Sequence, residues 1–147
     1  MKKSIYVIII IVCAVFSVAA ITYAGISVYR SNPQKKINIS DIDKAYIWEG
    51  AEDNSNTMEL TKAQIYEFVE TFNASDSWQP LSAESVPNFG IIVNFKSGTQ
   101  LRVNEIASNI SVRIGRTILG QYVEYELQSP DMCAFIIRLV TEMCGAE

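Results

Sequence analysis

From Ser4 to Tyr29 the chain runs 26 residues without a charged side chain, SIYVIIIIVCAVFSVAAITYAGISVY. At 1.5 Å per residue a helix of that length measures about 35–40 Å, enough to cross a hydrocarbon core of about 30 Å with some tilt. A chain of 147 residues has no core large enough to bury such a helix. Lys2 and Lys3 precede the run, and Arg30, Lys35 and Lys36 follow it. Tyr6, Tyr23 and Tyr29 sit near its ends, where amphipathic rings suit a membrane interface. Residues 1–30 therefore read as a transmembrane signal-anchor of a single-pass cell-membrane protein, with the N-terminus cytoplasmic and the body outside. Cleavage is the alternative: Ser17-Val18-Ala19 and Thr22-Tyr23-Ala24 are passable signal-peptidase sites, and the body would then be secreted. The apolar run continues past both sites and exceeds the roughly 7–15 residues of a signal-peptide core, which favours retention. Cys13 follows Ile11-Val12, where a lipobox requires a small residue.

Charge divides the chain at the same place. Five of its 12 bases lie before Asn38, leaving seven against all 16 acids in the remainder, a net charge of −9. So acidic a body does not bind nucleic acid, which needs clustered Lys and Arg. The chain has no histidine. That removes the Ser-His-Asp triad, the Cys-His dyad, histidine acid–base catalysis and the HExxH zinc site.

Residues 31–37 form a polar linker, with Pro33 barring a simple helical continuation. Residues 38–147 are long enough for one domain. Ile42–Glu49 reads as a strand, with Tyr46 and Trp48 on one face and Ala45 and Ile47 on the other. Thr57–Leu60 pairs back after a polar turn at 52–56. Thr61 and Gln64 form a capping box, flanked by a Leu60–Ile65 staple. Ile65, Phe68, Val69 and Phe72 then follow at helical spacing as far as Asn73. Residues 74–88 read as a long loop pinned by Trp78 and Leu81. Phe89, Ile91, Val93 and Phe95 alternate inward, Ser97-Gly98 turns, and Leu101 and Val103 return. Ile110–Ile114 and Val123–Leu127 are further alternating strands, joined by a Gly115–Gly120 connection. Ser129 caps a terminal helix with Pro130 at its first position. Nine apolar residues between Met132 and Cys144 cover a broad arc of that helix. The expected fold is α+β: an N-terminal transmembrane helix, then an antiparallel sheet of five or six strands with two helices on one face.

No cofactor is expected. Cys133 and Cys144 stand about 16 Å apart on one helix, too far for a disulfide, and read as buried thiols. The chain has no CxxC and no metal-ligand spacing. The acidic turn at Glu49, Glu52, Asp53 and Asn54 fails as a calcium loop, because Met58 occupies the position that requires glycine. Gly115 and Gly120 match no phosphate-binding motif. Glu124 and Glu126 share an outward strand face with Tyr122, where pairing with Lys96, Arg102 or Arg113 is a simpler account than catalysis.

A lysine-led apolar segment, the helix start LTKAQI, the hairpin IVNFKSGTQL and the helix entry YELQSPDM resemble small membrane-anchored extracytoplasmic α+β domains of Gram-positive bacteria, largely of unknown function. The resemblance implies export and transfers no active site. The expected function is a non-catalytic, membrane-anchored binding domain. Its partners are the bilayer and an envelope protein, the latter met through Tyr46, Trp48, Trp78 and Tyr122. The alternatives are a small cell-surface enzyme working through carboxylates, or an accessory subunit of a membrane complex.

Overall fold

The computed structural model describes residues 11–23, 35–50, 56–81, 86–106, 110–118 and 120–145. The chain forms two compact units, Met1–Lys35 and Lys36–Glu147. In the first, residues 11–23 form a helix (α1) exposed along its length. The Ser17 and Thr22 hydroxyls donate to the carbonyls of Cys13 and Val18, each at 2.8 Å. These 13 residues span only about 20 Å. Among the described residues no helix is long and apolar enough to cross a membrane. This corrects the transmembrane helix of the expected fold; both flanks of the uncharged run lie outside the described residues.

The second unit begins where Ile37 is buried. The Asn73 side chain clasps it, accepting from the Ile37 N–H and donating to the Ile37 carbonyl, both at 2.9 Å. Ile37 thus belongs to the body and not to the linker. A 3-10 turn, Ile39–Asp41, leads into β1 (Ile42–Glu49), β2 (Asn56–Glu59), α2 (Lys62–Ala74), β3 (Ser77–Gln79), β4 (Phe89–Phe95), β5 (Gln100–Glu105), β6 (Ser111–Ile118), β7 (Gln121–Gln128) and α3 (Pro130–Cys144). The strands form one seven-stranded sheet in the order β2-β1-β4-β5-β6-β7-β3, with antiparallel neighbours throughout.

Seven strands correct the expected five or six. The additional one is β3, within the segment read as loop. Three residues are too few to show an alternating pattern, and β3 is a strand only because Trp78 pairs with Leu127 on β7. Two turns also differ. The Gly98 N–H donates to the Phe95 carbonyl at 2.9 Å, and Gly98 has φ +79°. The β4–β5 hairpin therefore turns through three residues with a left-handed glycine, not through Ser97-Gly98 alone. Strand β6 runs through Gly115 to Ile118, which faces Gln121, so Gly115 lies within the ladder and not in the connection.

One face of the sheet is apolar by alternation. Ile47, Ile91, Val103, Ile114 and Tyr125 stand in a cross-strand row, with Ala45, Val93 and Leu101 beside it. Both helices bury their stripes against this face, in a single core. The Phe68 ring lies 5.9 Å from Phe72 and 6.4 Å from Phe135. Both caps form as read: Thr61 Oγ1 accepts from the Gln64 N–H at 3.3 Å while Gln64 Oε1 accepts from the Thr61 N–H at 2.8 Å. Ser129 Oγ accepts from the Met132 N–H at 3.2 Å. Neither α2 nor α3 covers the opposite face.

Candidate functional site

Residues directly opposed in an antiparallel pair point to the same side, so register alone assigns the side chains of the helix-free face. Two rows cross it from β1 to β7. One is Tyr46, Ile92, Arg102, Gly115 and Glu124; the other is Trp48, Gly90, Asn104, Arg113 and Glu126. Glu59 extends the first row onto β2, and Thr57 and Gln79 extend the second onto the two edges.

Tyr122 stands one pair nearer the hairpin turn, opposite Thr117. Its ring leans back over the first row, so that its hydroxyl occupies the place a Cβ at residue 115 would take. That is why this strand carries glycine at 115. The hydroxyl donates to Glu124 Oε1 at 3.4 Å. Burial, and then the Glu124 charge, hold the phenol above its ordinary pKa, against the opposing pull of Arg102 and Arg113.

The second row is tighter. Asn104 is 7% exposed, and its Oδ1 lies 2.7 Å from the position of a Cβ at residue 90. Glycine at 90 lets the Asn104 side chain lie across the β4 backbone. Asn104 Oδ1 and the Trp48 Nε1–H are buried without a hydrogen-bond partner. An unmet buried polar group costs about 1–3 kcal/mol. Beside these rows, Gln100 donates to Asn94 at 3.0 Å and accepts from Arg102 Nε at 2.9 Å, while Lys44 and Glu59 pair at 3.6 Å. The face thus gathers one Trp, two Tyr and two Arg, the residue types that dominate binding hot spots.

Of the four aromatics singled out from sequence, Tyr46, Trp48 and Tyr122 lie on this face. Trp78 does not. It faces Leu127 on the helix side and packs 5.7 Å from the Phe72 ring and 4.8 Å from Tyr125. Glu124 and Glu126 point outward as read, but Glu126 is only 7% exposed. Cys133 is buried, and burial pushes its thiol up to about 11. Cys144 is exposed, with its thiol donating to Glu49 Oε2 at 2.9 Å. This corrects the reading of both thiols as core: Cys144, the last residue of α3, lies at the margin of the core beside the Glu49 carboxylate at the end of β1. Glu52, Asp53 and Asn54 lie outside the described residues.

Ile92, Asn104 and the two strand glycines escaped the sequence reading. Glycine inside an alternating strand was the available signal for a close approach, but Gly115 read instead as the start of a connection. Among the described residues no group of three or more Cys, Asp or Glu converges as metal ligands would. The cavity beside Cys133, lined also by Glu105 and Ser111, holds about 40 Å³, room for a few waters and not for a substrate. No family model, curated protein or solved structure matches the chain.

Proposed function

We propose that residues 36–147 are a non-catalytic interaction domain of an exported protein, which holds an envelope protein against the helix-free face of its sheet. The observation that carries this reading is the pair of cross-strand rows: Trp48, Tyr46, Tyr122, Arg102 and Arg113 stand on one face of the sheet, which neither α2 nor α3 covers. Export is supported by the 26-residue uncharged run. The non-catalytic part rests on the absence of histidine and on the register, which sets Glu126 opposite Arg113.

A photo-crosslinking amino acid substituted at Tyr46 or Tyr122 in the full chain, expressed in its native envelope, should capture one discrete protein. The same probe at Tyr66, exposed on α2, should capture none. Equal capture from both sides, or no capture, would sink the reading. A surface activity lost on Glu124→Gln or Glu126→Gln in a protein that still folds would replace it with the carboxylate enzyme.

A further inference from the structure

The β7 edge is covered along only part of its length. The Ser129 N–H donates to the Ile110 carbonyl at 2.9 Å, which fixes the phase of the β6–β7 ladder and makes Ile118 and Gln121 a bonded pair. Bonded and non-bonded pairs then alternate along β7, so that Tyr122, Glu124, Glu126 and Gln128 turn their N–H and C=O groups away from β6. Strand β3 meets Glu126 through Gln79 and Gln128 through Ser77. There it stops: β3 ends at Gln79. Tyr122 and Glu124 are left with two donors and two acceptors facing outward, and no described strand pairs with them. Around these groups Tyr122 is 55% exposed and Val123 36% exposed.

We propose that this stretch of β7 takes an extended, basic segment of the partner as an added strand, collinear with β3. The inference rests on the interaction reading above and names where and how the partner docks. Backbone groups in a row at strand spacing select an extended chain, since its alternate N–H and C=O groups are the complement they lack. Side chains then set its composition. On the helix-free face, the residue opposite Glu124 is Lys or Arg, and the one opposite Tyr122 is aromatic or aliphatic. On the other face the added strand meets Val123, beside which Arg116 stands on β6, so an apolar residue fits there and a cation does not. The −9 charge of residues 38–147 adds a long-range preference for a basic segment.

In the full chain, the Tyr122 and Glu124 amides should exchange hydrogen rapidly while those of Val123 and Tyr125, bonded to β6, are protected. A capped synthetic peptide of alternating lysine and valine should slow exchange at Tyr122 and Glu124, and its glutamate–valine counterpart should not. Glu124→Pro removes one outward donor without touching the β6 ladder. It should leave the thermal midpoint nearly unchanged and weaken the lysine–valine peptide about tenfold, the worth of one or two net hydrogen bonds. Glu124→Lys should reverse the preference between the two peptides. Protection of both amides in the free chain would overturn the proposal, as would equal binding of the two peptides. Concentration-dependent dimerisation abolished by Glu124→Pro would overturn it in favour of a second copy of this chain. Crosslinking from Tyr46 that persists undiminished in Glu124→Pro would leave the interaction face standing and remove the added strand.

Discussion

At the scale of single residues, two strand glycines serve different neighbours, and their substitutions should separate cleanly. A Cβ at residue 90 would meet Asn104 Oδ1 at 2.7 Å and the Asn104 Cα at 3.0 Å. The second obstacle is backbone and cannot swing aside, so Gly90→Ala should cost about 1–3 kcal/mol, as overpacking does. At residue 115 the obstacle is the tip of the Tyr122 side chain, which is 55% exposed and free to rotate. Gly115→Ala should therefore melt within a few degrees of the native chain while losing crosslinking through position 46, because the ring is expelled from its place across Arg102. Thermal melts and the envelope capture assay read both. The two thiols of α3 divide the same way. Cys133, buried and pushed up to about 11, should react with a thiol reagent only in denaturant, whereas exposed Cys144 should label in the native state. Mass spectrometry of the labelled peptides distinguishes them, and native labelling of Cys133 would mean that α3 does not pack as described.

At the scale of elements, the two long helices of the body depend on their caps to different degrees. Thr61 and Gln64 close their capping box in the open, where water replaces a lost bond cheaply. Thr61→Ala should cost about 0.5–1 kcal/mol. Ser129 is 6% exposed, and its hydroxyl oxygen accepts from the Met132 N–H and also from the Ser75 hydroxyl at 2.8 Å. Ser129→Ala leaves the Met132 N–H unmet inside the protein, while the Ser75 hydroxyl keeps the Thr71 carbonyl at 2.9 Å, and should cost about 2 kcal/mol, the upper end for a cap. Denaturant midpoints at constant slope should rank the two variants in that order. The reverse ranking would show that the Ser75–Ser129 junction between α2 and α3 carries no stability. The ion pair that also joins these helices, Arg138 to Glu67 at 2.7 Å, and the pair within α3, Arg138 to Glu142 at 3.4 Å, are half-exposed and contribute little by comparison.

At the scale of the whole molecule, stability should fall in alkali. The Cys133 thiol binds its proton more tightly in the folded chain than the ordinary value of 9.0 allows, at about 11. Its contribution is fully present below pH 9 and is lost as pH rises from there through about 11. Tyr122 and Tyr125 are likewise raised above 10.0, chiefly by burial, so the loss continues beyond pH 10. Denaturant midpoints should stay level through neutral pH and fall from about pH 9 upward. Cys133→Ala should flatten the first part of that fall. A midpoint equally sloped in the variant would assign the alkaline loss to other groups.

What the sequence determined by itself is what its determinants hold within one or two turns of chain. The Thr61–Gln64 box, the Ser129-Pro130 start and the spacing of Phe68, Val69 and Phe72 each act over three or four residues, so α2 and α3 were legible with their ends. So was the inward alternation of β4 and β5. What lies between distant segments was not. Period two says that the faces of a strand differ, and says nothing of which strand lies alongside, so the pairing of β1 with β4 came only from the assembled sheet. Strand β3 exists because β7 offers it an edge, and that pairing turns Trp78 into the core and away from the face where sequence reading put it. Trp48, three elements earlier, fell the other way. Gly115 reads as a turn residue until Tyr122 is seen to need its empty space. Helix caps and stripes are local interactions and are written locally; strand neighbours, and the binding face they compose, are chosen by burial and hydrogen bonding summed over the whole sheet.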